Sequence, residues 1–283
     1  MMQRMHRADA GTPAWPVLAQ RAADTLRSAG AGSVDIGVVL GSGLGPLADE
    51  IEARCNVPFS ELPGMAMSTA PGHAGRVVVG RLAGREVIAF QGRLHSYEGH
   101  DARACAFPVR VMHALGAGTV VVSNACGGLD PHLRAGDLLL QLDLINATGD
   151  QALVGPEDGL GERFTVMFDC YDRHYLEVAR GAARRLDQPL REGVYLAIRG
   201  PAYATRAELR AFRTLGADVI GMSTVHEVAM ARHLGLRVLG LAAVTDMALP
   251  DASGHATGDD VLRMAEQVGE RFRALVREVL PAL

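Results

Sequence analysis

The sequence predicts a single α/β domain whose sheet is covered by helices on both faces, and three observations predict it. Apolar, β-branched runs alternate with stretches of helical spacing along the whole chain. Two Thr-x-x-Glu boxes, Thr205 to Glu208 and Thr224 to Glu227, fall between a strand-like run and a helical one, which should set helix N-termini directly after strands. Apolar residues make up 48% of the 283 positions, enough for one large core. The domain is read as spanning 1–283, with residues 1–12 expected to be disordered.

In chain order, a helical stretch from Pro16 to Ala29 precedes the first apolar run, Val34 to Leu40. Two further strands, Val77 to Leu82 and Glu86 to Gln91, lead to a helix from Ala102 to Leu115. Thr119 to Asn124 and Leu138 to Asn146 are strands, and Asp172 to Leu186 a helix. Gly193 to Arg199, the helix Arg206 to Leu215, Val219 to Met222 and the helix Val225 to Leu234 continue the alternation. Arg237 to Val244 is the last strand, and Asp259 to Leu280 the closing helix. The Gly- and acid-containing stretch from Thr148 to Gly161 is too long for an ordinary connection and reads as a functional or interface loop.

A formal net charge of −4 and a pI near 6.2 give no electrostatic reason to expect nucleic acid, so a small neutral or anionic partner fits better. Nothing in the chain is long and apolar enough for a membrane span, and the first fifteen residues lack the apolar stretch of a signal peptide, which predicts a cytoplasmic protein. Cys55, Cys105, Cys126 and Cys170 are scattered, without the pairing of a zinc or redox site; no metal is expected. The chain has no lysine, so all 28 basic residues are arginine. That excludes Schiff-base, pyridoxal-phosphate and P-loop chemistry and leaves arginine, histidine, hydroxyls and backbone N–H groups to hold any anion.

Four strand ends carry candidate chemistry. Gly41-Ser42-Gly43-Leu44-Gly45 is either an anion loop or a tight turn; Pro46 breaks the dinucleotide fingerprint and disfavours a nicotinamide enzyme. In Gly92-Arg93-Leu94-His95-Ser96-Tyr97-Glu98-Gly99, extended alternation would bring Arg93, His95 and Tyr97 to one side, facing a ligand or solvent, because burying them unpaired is costly. Ser123 to Gly128 opens into small residues after a strand, and Gly221-Met222-Ser223-Thr224 leads into a helix, where Ser223 is a phosphate seat or part of a cap.

These segments, together with Pro71-Gly72-His73-Ala74-Gly75-Arg76 and Gly200-Pro201, resemble in order and spacing the signature segments of trimeric purine nucleoside phosphorylases, from about Val34 to Leu280. The resemblance implies that family's fold, a central mixed sheet, and phosphorolysis of a purine nucleoside to free base and (deoxy)ribose 1-phosphate in purine salvage. Phosphate is then a co-substrate, no cofactor is needed, and the assembly is a homotrimer. It implies phosphate contacts from Ser42, His73, Arg93, His95, Ala125 and Ser223, with Glu98 orienting His95. Tyr97 and Met222 would border the ribose, Tyr203 would pack on sugar and base, and Phe164 would be lent to the site of a neighbouring subunit.

The pattern departs from the family at the base and 5′ end. Ala204 stands where typical members carry an acid that accepts from the base N1–H, and Asp246 where they carry an asparagine. An ionised Asp246 accepts from a 6-amino group, whereas a protonated one donates to O6. Gly258, with His255 nearby, replaces a histidine at the 5′-hydroxyl. The alternatives are a 5′-methylthioadenosine or methylthioinosine phosphorylase of the same fold, and a nucleoside-binding protein without turnover.

Overall fold

The computed structural model describes residues 14–254 and 256–283; the expected disorder of residues 1–12 and the neighbouring His255 lie outside them. After helix α1 (Trp15–Ser28) come strands β1 (Ile36–Leu40), β2 (Glu52–Pro58), β3 (Arg76–Leu82) and β4 (Arg85–Gln91). Helix α2 (Ala102–Ala114) is followed by β5 (Thr119–Gly128), β6 (Leu138–Asn146), α3 (Arg173–Arg185) and β7 (Arg191–Ala197). The chain continues through α4 (Arg206–Thr214), β8 (Val219–Gly221), α5 (Val225–His233), β9 (Arg237–Met247) and α6 (Gly258–Val279).

The sheet runs β2-β3-β4-β1-β5-β8-β7-β6-β9, and β9 also pairs with β5, so five of its strands form a closed ring. Strands β4, β1, β5 and β9 are mutually parallel, which brings their carboxyl ends to one edge, where open α/β sheets bind ligands. Every residue of β1 is buried, as expected of a central parallel strand covered on both faces. Where β5 meets β9 the register slips: Cys126 faces Val244, but Gly127 faces Asp246. The extra residue, Thr245, donates its hydroxyl to Cys126 O at 3.2 Å.

Two features differ from the sequence reading. Strand β2 was not anticipated, because it is an edge strand with only Cys55 and Val57 buried, and its charged positions mask the alternation. The Thr224 to Glu227 box does not form. Thr224 has φ 73° and makes no side-chain cap, since its hydroxyl and the Glu227 carboxylate are both drawn to other partners near Arg93. The Thr205 box forms as read, and a further one closes the N-terminus of α6 at Thr257 and Asp260.

Candidate active site

The glycine loop after β1 must run close to β5. A Cβ at Gly41 would lie 2.8 Å from Asn124 Cα and from Ser123 O, so only glycine allows the approach. Ser42 then faces His73, with Oγ 3.2 Å from Nε2. His73 Nδ1 accepts the Arg93 backbone N–H at 2.9 Å, so the proton of the neutral ring lies on Nε2 and points at Ser42. Burial, with help from His95 and Arg93, lowers the His73 pKa to about 3, which keeps the ring neutral.

Arg93, only 1% exposed, is the centre of the cluster. Its Nη1 donates to Ser223 Oγ at 2.8 Å and approaches Thr224 Oγ1 at 3.4 Å, and its Nη2 donates to Ser123 O at 2.6 Å. Its Nε lies 3.2 Å from Glu227 Oε1, a charge contact without an aligned hydrogen bond. Burial pushes the Glu227 carboxyl up, and Arg93 opposes that push. Asn124 Nδ2 donates to Thr224 Oγ1 at 2.8 Å, so Arg93 and Asn124 both fasten the strained turn into α5.

The segment after β4 is not extended throughout: Ser96–Glu98 is a 3-10 turn whose curl brings Glu98 back to His95. The Glu98 carboxylate accepts from the His95 backbone N–H at 2.9 Å and lies 3.0 Å from Nδ1. Against burial, bonds from His95 and Thr69 hold this carboxyl well below the usual carboxylate range, so His95 Nδ1 carries the shared proton. Nε2 is then left as an acceptor on the other side of the ring. Burial also lowers the pKa of His95. Tyr97 stacks on His95 with ring centroids 4.6 Å apart, and its phenol is pushed up to about 12 by burial and by Glu98.

A cavity of about 220 Å³ opens over these strand ends. Ser42, Arg93, His95, Ala125 and Ser223 are in its lining, and so are Tyr97, Tyr203, Ala204, Met222 and Asp246. His73 and Glu98 are bonded behind this lining rather than within it. Residues 35–281 fit the model of a family described as the phosphorylase superfamily. The chain belongs to that superfamily.

Within the phosphorylase superfamily, this chain is 43% identical over 262 residues to purine nucleoside phosphorylase 1 of Geobacillus stearothermophilus, covering 92% of this chain and 96% of that one. The Bos taurus purine nucleoside phosphorylase is 41% identical over 256 residues, 88% of this chain and 89% of the relative. Among solved structures, Schistosoma mansoni purine nucleoside phosphorylase in complex with adenosine superposes with a TM-score of 0.89 at 33% identity, covering 94% of this chain and 96% of that one.

Ile198, Leu209, Ile220, Met247 and Leu249 give this superfamily member's cavity an apolar wall. Asp246 is the sole acidic residue of the lining among the described residues. Its Oδ1 receives the Thr245 hydroxyl at 3.2 Å, and burial raises its pKa despite that bond. Gly258 begins α6 and does not line the cavity; Gly254, Ala256 and Val261 do. Phe164 is 87% exposed and stands outside the cavity of its own chain. No group of three or more His, Cys, Asp or Glu arranged to hold a metal occurs among the described residues, nor does a helix long and apolar enough to cross a membrane.

Sequence reasoning missed Asn124 and the Thr224 hydroxyl, whose pairing at 2.8 Å spans 100 residues, and the buried Glu227 behind Arg93. The sequence offers Glu227 only as a capping partner, and no local pattern reveals its real contact.

Proposed function

We propose that this protein cleaves purine nucleosides with inorganic phosphate, releasing the free base and ribose or deoxyribose 1-phosphate, in purine salvage. The observation that carries the reading is the convergence of Arg93, Ser42, Ser223 and His95 on one cavity whose lining is otherwise largely apolar and carries a single carboxyl. Arginine, two hydroxyls and the Ala125 backbone hold the anion, and the His95 Nε2 lone pair accepts a phosphate proton. His73 steadies Ser42 from behind. Tyr97, Met222 and Tyr203 border the sugar, so a phosphate oxygen is held close to C1′.

As that oxygen forms its bond to C1′, the bond to N9 lengthens, the sugar becomes oxocarbenium-like and the base gathers negative charge toward N7. Asp246 meets that charge: its acid form, which burial favours, donates toward N7, and its other oxygen accepts from a 6-amino group. With Ala204 in place of an acid, nothing at that position accepts from the N1–H of a 6-oxopurine. Adenosine-like substrates are therefore favoured over inosine-like ones. Phosphate is the co-substrate, and the chemistry calls on no metal or organic cofactor. The protein works in the cytoplasm as a homotrimer in which Phe164 closes the ribose site of the next subunit. The small residues Gly254 and Ala256 on the cavity wall favour a second reading, a 5′-methylthio substituent in place of the 5′-hydroxyl.

The test is release of base from inosine, guanosine, adenosine and 5′-methylthioadenosine with and without phosphate. Phosphate-dependent cleavage, fastest for a 6-aminopurine, is expected. Binding without turnover of any of the four would overturn the enzymatic reading in favour of a nucleoside-binding protein.

A further inference from the structure

The loop after β6 presents an unusual combination. It exposes Val154, Leu160, Phe164, Val166 and Phe168 to solvent, yet its base is fastened by buried charge. Arg110, on α2 and 6% exposed, places Nη1 2.6 Å from Asp158 Oδ2, a charge contact without an aligned hydrogen bond. Asp158 Oδ1 accepts from the Leu160 N–H and lies 3.0 Å from His233 Nε2 at the end of α5. The other nitrogen of the same imidazole, Nδ1, is 3.0 Å from Thr165 Oγ1. One ring therefore ties position 158 to position 165, the residue next to Phe164. Against burial, His233, the Leu160 N–H and Arg110 hold the Asp158 carboxyl down to about 2, so Asp158 is a carboxylate at any working pH.

Exposed aromatic side chains on an unfastened loop would fold back onto their own surface to bury apolar area. Holding them outward takes interactions at the root of the loop, and the Arg110, Asp158 and His233 cluster supplies them. We infer that Asp158 is a positioning residue for the nucleoside site of the neighbouring subunit: through His233 and Thr165 it fixes where Phe164 stands. This rests on the reading of Phe164 as lent to a neighbour. Asp158 touches no substrate in either subunit, and its effect falls on the nucleoside, because Phe164 is directed at the ribose and not at the phosphate.

The experiment compares Asp158→Asn, Phe164→Ala and the double variant, with KM measured separately for nucleoside and phosphate. Asp158→Asn keeps the shape of the side chain but weakens charge-assisted bonds, so nucleoside KM should rise about tenfold with phosphate KM unchanged. In the Phe164→Ala background the same change should have no further effect. A co-assembled mixture of Asp158→Asn subunits with Arg93→Ala subunits, each impaired alone, should regain sites of normal nucleoside KM, since an intact site then meets an intact loop. Equal shifts in both KM values, an effect that persists without Phe164, or no recovery in the mixture would overturn the inference. Hydrogen exchange across residues 154–168 separates the failures. A loop loosened by Asp158→Asn while Phe164→Ala is kinetically silent would retain the clasp but refute the loan of Phe164, and an unchanged loop would refute the clasp itself.

Discussion

Replacing Arg93 by alanine tests the anion end of the cavity and the buried pair behind it in one variant. The guanidinium is 1% exposed and Glu227 only 2%, so its loss leaves a carboxylate in the interior with no counter-charge. Breaking such a pair costs about 3–5 kcal/mol, against a typical folding stability of about 5–15 kcal/mol, so the variant should fold with a melting temperature lowered by about 10 °C. The deficit has a sign in pH. Burial already raises the Glu227 pKa, and without Arg93 it rises further. A carboxyl whose folded value exceeds its unfolded value, about 4.3, contributes no penalty below that pH and a growing one above it, so the gap from the parent should widen between pH 4.5 and 7.5. Phosphate loses at least one charge-assisted bond, about 1.5–3 kcal/mol, which raises its KM about 10- to 150-fold. The assays are phosphate saturation of base release and thermal melts across that pH range. An unchanged phosphate KM would refute the anion site, and a pH-independent melting deficit would refute Glu227 as the stranded partner.

Asp246→Asn should lower the ratio of kcat/KM for 6-amino over 6-oxo nucleosides by about tenfold, the usual worth of a two-point edge contact, with phosphate KM unaltered. Donation from Asp246 requires its acid form, so on the proposed mechanism parent activity on adenosine should decline as pH rises through the elevated Asp246 value, and this limb should vanish in the variant, as pH-rate profiles would reveal. Glu98→Gln should reduce kcat/KM about tenfold by freeing His95. The Glu98 carboxyl is depressed in the folded state, so its stabilisation is present above an unfolded value near 4.3 and lost as pH falls below it; melts between pH 3 and 6 should be flatter for the variant.

Most of the parallel sheet was legible because β1 and the buried stretch of β9 from Val238 to Val244 are continuous apolar runs. The edge strand β2 was not, since half-exposed strands depend on their neighbours more than on their own residues. In the site, Arg93 and His95 stood out as polar residues at a strand end that are costly to bury unpaired, whereas the local sequence left Ser42 between an anion loop and a turn and Ser223 between a phosphate seat and a cap. Arg93 and His95 do meet at the cavity, though a 3-10 turn rather than simple alternation carries Tyr97 there. What stayed hidden were contacts between distant segments: Glu227 behind Arg93, Thr69 on Glu98, Asn124 on Thr224. Each depends on the topology, and none leaves a periodic trace.

The turn at Thr224 sets durability against performance at a single residue. A β-branched side chain at φ 73° is held there at a cost of about 1–3 kcal/mol, and glycine would relieve it. Yet the hydroxyl that glycine lacks is within reach of Asn124, Arg93 and Ser223. Selection for heat resistance alone would discard this threonine. The corner therefore trades backbone ease for a hydrogen-bonded hydroxyl, and sequence optimisation aimed at stability alone would be drawn to replace the very residue that holds Asn124, Arg93 and Ser223 together.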